Sequence, residues 1–114
     1  VQRFSLAQGI ENREPVAGLQ AVTFDENGLA VAYAFSEVQG LMGSTLYYHW
    51  LQEGEELAAV RIRVADQRWR SHSSKYIEQE KTGAWTVQLR DAKGELLAQA
   101  DFTLRPRNFG GSRR

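Results

Sequence analysis

The groups able to do chemistry in this chain gather between residues 61 and 75. Arg61 and Arg63 occupy alternate positions, Arg68 and Arg70 repeat the pattern, and His72 and Lys75 follow. Guanidinium groups are planar, permanently charged donors that grip carboxylate or phosphate in pairs. Four of them on one exposed surface would bind an anionic glycan, a phosphate or the acidic face of a protein. The competing role is a solvated strand face whose arginines pair with acids on neighbouring strands.

A second chemistry is stacking on aromatic faces, which is how β-domains hold sugars. Trp69 sits between Arg68 and Arg70, so if the arginines point to water, alternation turns it inward. Trp85 shares a face with Val87 and Leu89, and Trp50 falls on a strand where immunoglobulin-like sandwiches bury a tryptophan. Both read as core. Tyr47 and Tyr48 are adjacent and cannot share a face, so Tyr47 with Trp69 is the pair a carbohydrate site would use.

Catalytic patterns are lacking. His49 and His72 are the two histidines, and no H-x-H or H-x-x-x-H spacing suggests a metal site. In Ser71-His-Ser-Ser-Lys75 the helical S-x-x-K spacing would require serine at position 72, where histidine stands. The absence of cysteine removes thiolate metal sites, disulfides and cysteine nucleophiles together. No glycine-rich phosphate loop occurs and no pattern calls for a cofactor. A near-neutral pI argues against nucleic acid as a partner. The chain therefore reads as a binding or structural module, not an enzyme.

The elements that must position these groups follow a period of two. Leu29, Val31, Tyr33 and Phe35 alternate with Ala30, Ala32, Ala34 and Ser36, large on one face and small on the other. Val60, Ile62 and Val64 alternate with Arg61 and Arg63. Trp85, Val87 and Leu89 alternate with Thr86, Gln88 and Arg90, and Leu96, Ala98, Ala100 and Phe102 with Leu97, Gln99, Asp101 and Thr103. Each puts one face into a core and one toward water, as antiparallel sheets do.

Turn signals separate the runs. Asp25-Glu-Asn-Gly28 and Asp91-Ala-Lys-Gly94 both begin with Asp, whose side chain can accept from the turn backbone, and end with Gly, which supplies positive φ. Glu53-Gly54 reads as a third hairpin between Thr45–Gln52 and Leu57–Val64. Pro15 and Gly18 break up the segment after a first strand at Arg3–Ala7, and Ser73–Lys81 reads as a loop or one helical turn. The expected fold is an all-β, immunoglobulin-like antiparallel β-sandwich of about seven strands, with a barrel as the weaker alternative. Residues 1–106 form one domain on this reading, and 107–114 a flexible basic tail.

The chain has 114 residues, with fourteen basic and fourteen acidic side chains. Residues 61–75 hold five bases against Asp66, the tail from Leu104 adds four arginines and no acid, and the rest holds five bases with thirteen acids, so a neutral total conceals a polarised molecule. No apolar run is long enough to cross a membrane within these residues. The opening on Val1 suggests a fragment of a longer protein, from which a membrane anchor could have been removed.

Several motifs stand in order along the chain: Arg13-Glu14-Pro15, Phe35-Ser-Glu-Val-Gln-Gly-Leu-Met-Gly43 leading to His49-Trp50, Arg68-Trp69-Arg70-Ser-His-Ser-Ser-Lys75, Gly83-Ala-Trp85-Thr-Val87 and Asp91-Ala-Lys-Gly94-Glu-Leu-Leu97. Together they resemble the bacterial "domain of unknown function" family twenty-nine fourteen. The resemblance runs from about Phe4 to Leu104. It implies a C-terminal domain of a protein with membrane segments upstream, in the periplasm or cell envelope, with no assigned activity and hence no site residues to carry over. A structural use of the motifs also follows, with tryptophans as core anchors and arginines laid across them in cation–π contact.

Overall fold

The period of two builds nine strands and no helix among the described residues. The computed structural model describes residues 2–11, 14–18, 21–23, 29–78 and 82–105. In chain order the strands are β1 (Arg3–Glu11), β2 (Glu14–Gly18), β3 (Ala21–Thr23), β4 (Leu29–Gln39), β5 (Thr45–Gln52), β6 (Glu55–Arg63), β7 (Arg68–Glu78), β8 (Gly83–Asp91) and β9 (Leu96–Arg105). They form a four-stranded sheet in the order β2-β1-β4-β7 and a five-stranded sheet in the order β3-β9-β8-β5-β6. The expected all-β sandwich is the fold observed. Seven longer strands (β1, β4, β7 facing β9, β8, β5, β6) carry it, and the chain changes sheet three times along them, in the manner of immunoglobulin-like sandwiches.

Several sequence expectations need correction. The segment that Pro15 and Gly18 are expected to break up holds the short strand β2, with Pro15 inside it and Gly18 at its end, and β1 continues past Ala7 to Glu11. Ser73–Glu78 is strand, the second half of β7, where a loop or one helical turn is expected. Its partner β4 explains this, since eleven residues of β4 pair with it from Leu29↔Glu78 to Gln39↔Arg68. Pairing is not wholly antiparallel, because β3 runs parallel to β9. The Asp25–Gly28 turn and the 107–114 tail lie outside the described residues.

The remaining turns behave as their residues dictate. Asp91 Oδ1 accepts from the Lys93 and Glu95 amides, both at 2.9 Å, and Gly94 takes φ of 86°. At the β5–β6 hairpin both central residues have positive φ, Glu53 at 49° and Gly54 at 83°. That is the twist a two-residue hairpin demands, and Glu53 meets it without being glycine.

The core is asymmetric. The five-stranded sheet sends large side chains inward: Leu46, Tyr48, Trp50, Trp85, Val87, Leu89, Phe102 and Leu104 are all buried. Trp85 stacks on Phe102 with centroids 5.8 Å apart, and Trp50 meets the same ring edge-on at 6.5 Å. Facing them, β4 presents Ala30, Ala32, Ala34 and Ser36. Close packing requires small residues opposite large ones, so it is the small face of β4 that meets the core. The large face, with Tyr33 and Phe35, turns to the outside of the four-stranded sheet. On β9 a register shift opposite Leu89/Arg90 lets Leu97 pack on the core and leaves Leu96 44% exposed, reversing their expected roles.

Two polar links tie the sheets across this core. The Tyr48 hydroxyl lies 2.6 Å from Ser36 Oγ and 3.1 Å from the Ser71 carbonyl, and Trp50 Nε1 donates to Ser73 Oγ at 3.1 Å. Burial raises the Tyr48 pKa, against the opposing pull of its bonds to Ser36 and Ser71.

Candidate functional site

The arginines expected to form one surface are divided between two. Arg61 and Arg63 lie on β6, the edge of the five-stranded sheet, whereas Arg68 and Arg70 lie on β7, the edge of the four-stranded sheet. Each pair alternates with core-facing neighbours, Ile62 and Val64 on one side and Trp69 on the other. The two pairs therefore project from opposite outer faces of the sandwich. The single four-arginine stripe is not formed, because residues 64–67 carry the chain from one sheet to the other and do not make a hairpin within one.

On the four-stranded sheet Arg68 and Arg70 each meet a carboxylate, Glu37 and Glu14, which they share with Arg3. Register aligns Arg3, Glu37 and Arg70 across β1, β4 and β7. Arg3 Nε bonds Glu37 Oε1 at 3.0 Å, and Arg68 lies 3.4 Å from the same carboxylate. Glu14 joins Arg3 at 2.8 Å and also pairs with Arg70. That last contact has a topological meaning. A straight strand from Arg3 to Glu11 would span about 26 Å, too far for Glu14, paired beside Glu11, to reach Arg3. The β1–β2 hairpin must fold back over the outer face of its own sheet. There the Arg3 guanidinium lies 4.9 Å from the Phe35 ring centroid, and Phe35 is 1% exposed. A cation–π contact is thus made at Phe35, a residue outside the tryptophan–arginine motifs.

Hydrogen bonds from Arg3 and then Arg70 pull the Glu14 carboxyl down to about 2. The same contacts, Glu14 first and Glu37 second, raise Arg3 further above its ordinary value. Glu14, Glu37 and Arg3 were not singled out from sequence. The available signals were the Arg13-Glu14-Pro15 motif and the acid at position 37, which continues the large alternating row of β4.

The other expected residues scatter. His72 is exposed on the outer face of β7, 6.3 Å from the Tyr33 ring. Lys75 does not extend the arginine row, because it falls on the opposite phase of β7, between Ser73 and Ile77. Trp69 packs half-buried against the core, while Tyr47 faces outward on β5, so the two aromatics proposed for carbohydrate stacking share no surface.

What remains is the outer face of the five-stranded sheet. Register sets Tyr47 directly between Arg61 on β6 and Arg90 on β8, and sets Thr45 beside Arg63. Arg90 is held in place, its Nε donating to Gln88 Oε1 at 2.9 Å and its Nη1 to the Gly94 carbonyl at 2.7 Å. Among the described residues, neither Arg61, Arg63 nor Arg90 has an acidic partner. His49 follows Tyr47 on the same face, 6.2 Å away ring to ring, with its Nδ1 on Glu56. Arg90 was visible only as an outward residue of its strand. Its place beside Tyr47 depends on the β5–β8 register, which has no local signal.

Nothing among the described residues indicates catalysis. No group of three or more potential metal ligands occurs there, and the Ser71 hydroxyl is engaged by Ser36 and Tyr48. No curated protein and no solved structure matches the chain. A family model described as "Protein of unknown function (DUF2914)" matches residues 43–104. That span takes in the His49-Trp50 pair, the Arg68–Lys75 segment, Trp85 and the Asp91–Gly94 turn, but not Arg13-Glu14-Pro15. With more than half its length in the match, from β5 through most of β9, the chain belongs to the DUF2914 family.

Proposed function

We propose that this domain is a non-catalytic module that docks an anionic partner, an acidic protein surface or an acidic glycan, on the outer face of its five-stranded sheet. The observation that carries the reading is the row Arg61–Tyr47–Arg90, with Arg63 one step along β6, in which no guanidinium is paired with an acid among the described residues. Arg68 and Arg70, by contrast, are already satisfied by Glu37 and Glu14 and belong to the structural half of the molecule. Resemblance to C-terminal domains of membrane-associated bacterial proteins supports the cell envelope as the compartment.

The test is an amide NMR titration against phosphate, acidic oligosaccharides and acidic peptides at low and moderate salt. Saturable shifts at Tyr47, Arg61, Arg63 and Arg90 that weaken with salt are expected, together with their loss in Arg61→Ala/Arg90→Ala and their retention in Arg68→Ala. Shifts centred on Arg68 and Arg70, or flat spectra across the panel, would overturn the reading.

A further inference from the structure

We infer that the free edge of β6 receives an extended acidic segment as an added antiparallel strand, an inference that rests on the anionic docking face just described. β6 ends its sheet, with β5 on one side and no strand on the other among the described residues. Every second residue of such an edge directs its backbone N–H and C=O outward, which is the template for strand addition. Among the described residues no strand covers that edge, and its charges and register irregularity are the features that keep it from pairing indiscriminately. Its register irregularity, opposite Trp50/Leu51, lies toward the hairpin and leaves Ala58–Arg63 regularly paired with β5.

The side chains of that stretch specify the occupant. On the outer face stand Arg61 and Arg63, both exposed and without an acidic partner among the described residues. On the inner face stand Val60 and Ile62, opposite Tyr48 and Leu46. Val60 is on the core-facing phase yet 37% exposed, with no strand beyond it among the described residues. An incoming strand that sets acids opposite Arg61 and Arg63 forms opposite-charge cross-strand pairs. Its intervening residues fall on the other face, where an apolar side chain would cover Val60. The partner is therefore an extended peptide alternating acidic and apolar residues. A second copy of this chain fits less well, since Ala58–Arg63 contains no acid to set opposite the arginines.

The experiment titrates the labelled domain with a capped Glu-Val-Glu-Thr-Glu-Val hexapeptide and a scrambled peptide of equal charge. A third peptide is N-methylated along the edge that would pair with β6. Expected results are Hα–Hα contacts between peptide and β6, slowed exchange of β6 edge amides, and weaker binding by the scrambled and N-methylated forms. Arg61→Glu/Arg63→Glu, at two exposed positions, should weaken the acidic hexapeptide about fivefold or more and favour a Lys-Val-Lys-Thr-Lys-Val version. Equal binding by all three acidic peptides, without strand contacts, overturns strand addition and leaves the anionic docking face standing. The same conclusion follows if acidic oligosaccharides bind and the hexapeptide does not, or if anions shift Tyr47 and Arg90 while β6 edge amides respond only to protein concentration, as in self-association. Silence toward every anion overturns both.

Discussion

Tyr48→Phe deletes one oxygen from the middle of the sandwich, and the neighbours of that oxygen set the cost. The hydroxyl stands 2.6 Å from Ser36 Oγ, 3.1 Å from the Ser71 carbonyl and 3.2 Å from Ser71 Oγ. Ser36 is 1% exposed. Phenylalanine keeps the ring against Phe4, now stacked 6.3 Å away, so no large cavity opens. The loss is polar: the Ser71 carbonyl forfeits a donor, and Ser36 retains only Ser71 Oγ at 3.1 Å. Leaving such groups short inside a protein costs about 1–3 kcal/mol. A destabilisation of about 2 kcal/mol is expected, a fall of roughly 8 °C or more in Tm for a domain near this size. Ser36→Ala alone should cost about 1 kcal/mol. The double variant should cost less than the sum, because it removes both ends of the 2.6 Å bond.

Urea unfolding of the four proteins in this cycle measures both quantities. Strictly additive costs, or a Tyr48→Phe effect below about 0.5 kcal/mol, would refute the claim that these hydroxyls join the sheets. A pH series provides a second check. The folded state holds the Tyr48 proton more tightly than the unfolded chain, because burial disfavours phenolate. The native state then binds more protons than the unfolded state above pH of about 10. This contribution is fully present below the ordinary tyrosine pKa and is lost as pH rises toward the raised one. Tyr48→Phe should abolish that part of the alkaline decline.

Glu14→Gln should loosen the β1–β2 hairpin, seen as faster amide exchange in Arg3–Ala7 with little change in β5 or β8. Because the Glu14 carboxyl is held down at about 2, the latch should be intact above the ordinary glutamate range and lost as pH falls toward 2, which the carboxyl carbon shift reports. Glu53→Asn should raise the urea midpoint, stabilising the domain by about 0.5–1 kcal/mol, since Glu53 sits at φ of 49° where asparagine is better tolerated. Asp91→Ala should cost about 1 kcal/mol by freeing the Lys93 and Glu95 amides, and Asp91→Asn should recover part of it; thermal melts of both variants are the check.

Strand existence was legible because alternation is a local property. Trp50 and Trp85 in the core, the Asp91–Gly94 turn and the Glu53-Gly54 hairpin follow from neighbours a few residues apart. What alternation cannot encode is which face meets the other sheet. On β4 the large row looked like the core row by size, and the decision lay in the tryptophans and Phe102 supplied by β5, β8 and β9. The same limit governs the arginines. Arg61, Arg63, Arg68 and Arg70 look like one stripe until the short link Val64-Ala-Asp-Gln67 carries the chain across the sandwich. Backbone bonds of Val64 to Gly43 and Ser44 fix where that link departs, and they join positions some twenty residues apart. Glu14 pairs with a residue 56 positions away, a distance at which no spacing rule operates. The division it produces gives the arrangement its functional sense. An acid brought from afar satisfies Arg70, and the acid of β4 satisfies Arg68. No described acid reaches Arg61 or Arg63, although the chain as a whole holds as many acids as bases. The acids of β6 itself, Glu55 and Glu56, stand at its hairpin end, with Glu56 on His49, and the arginine end of the strand has no acidic partner among the described residues.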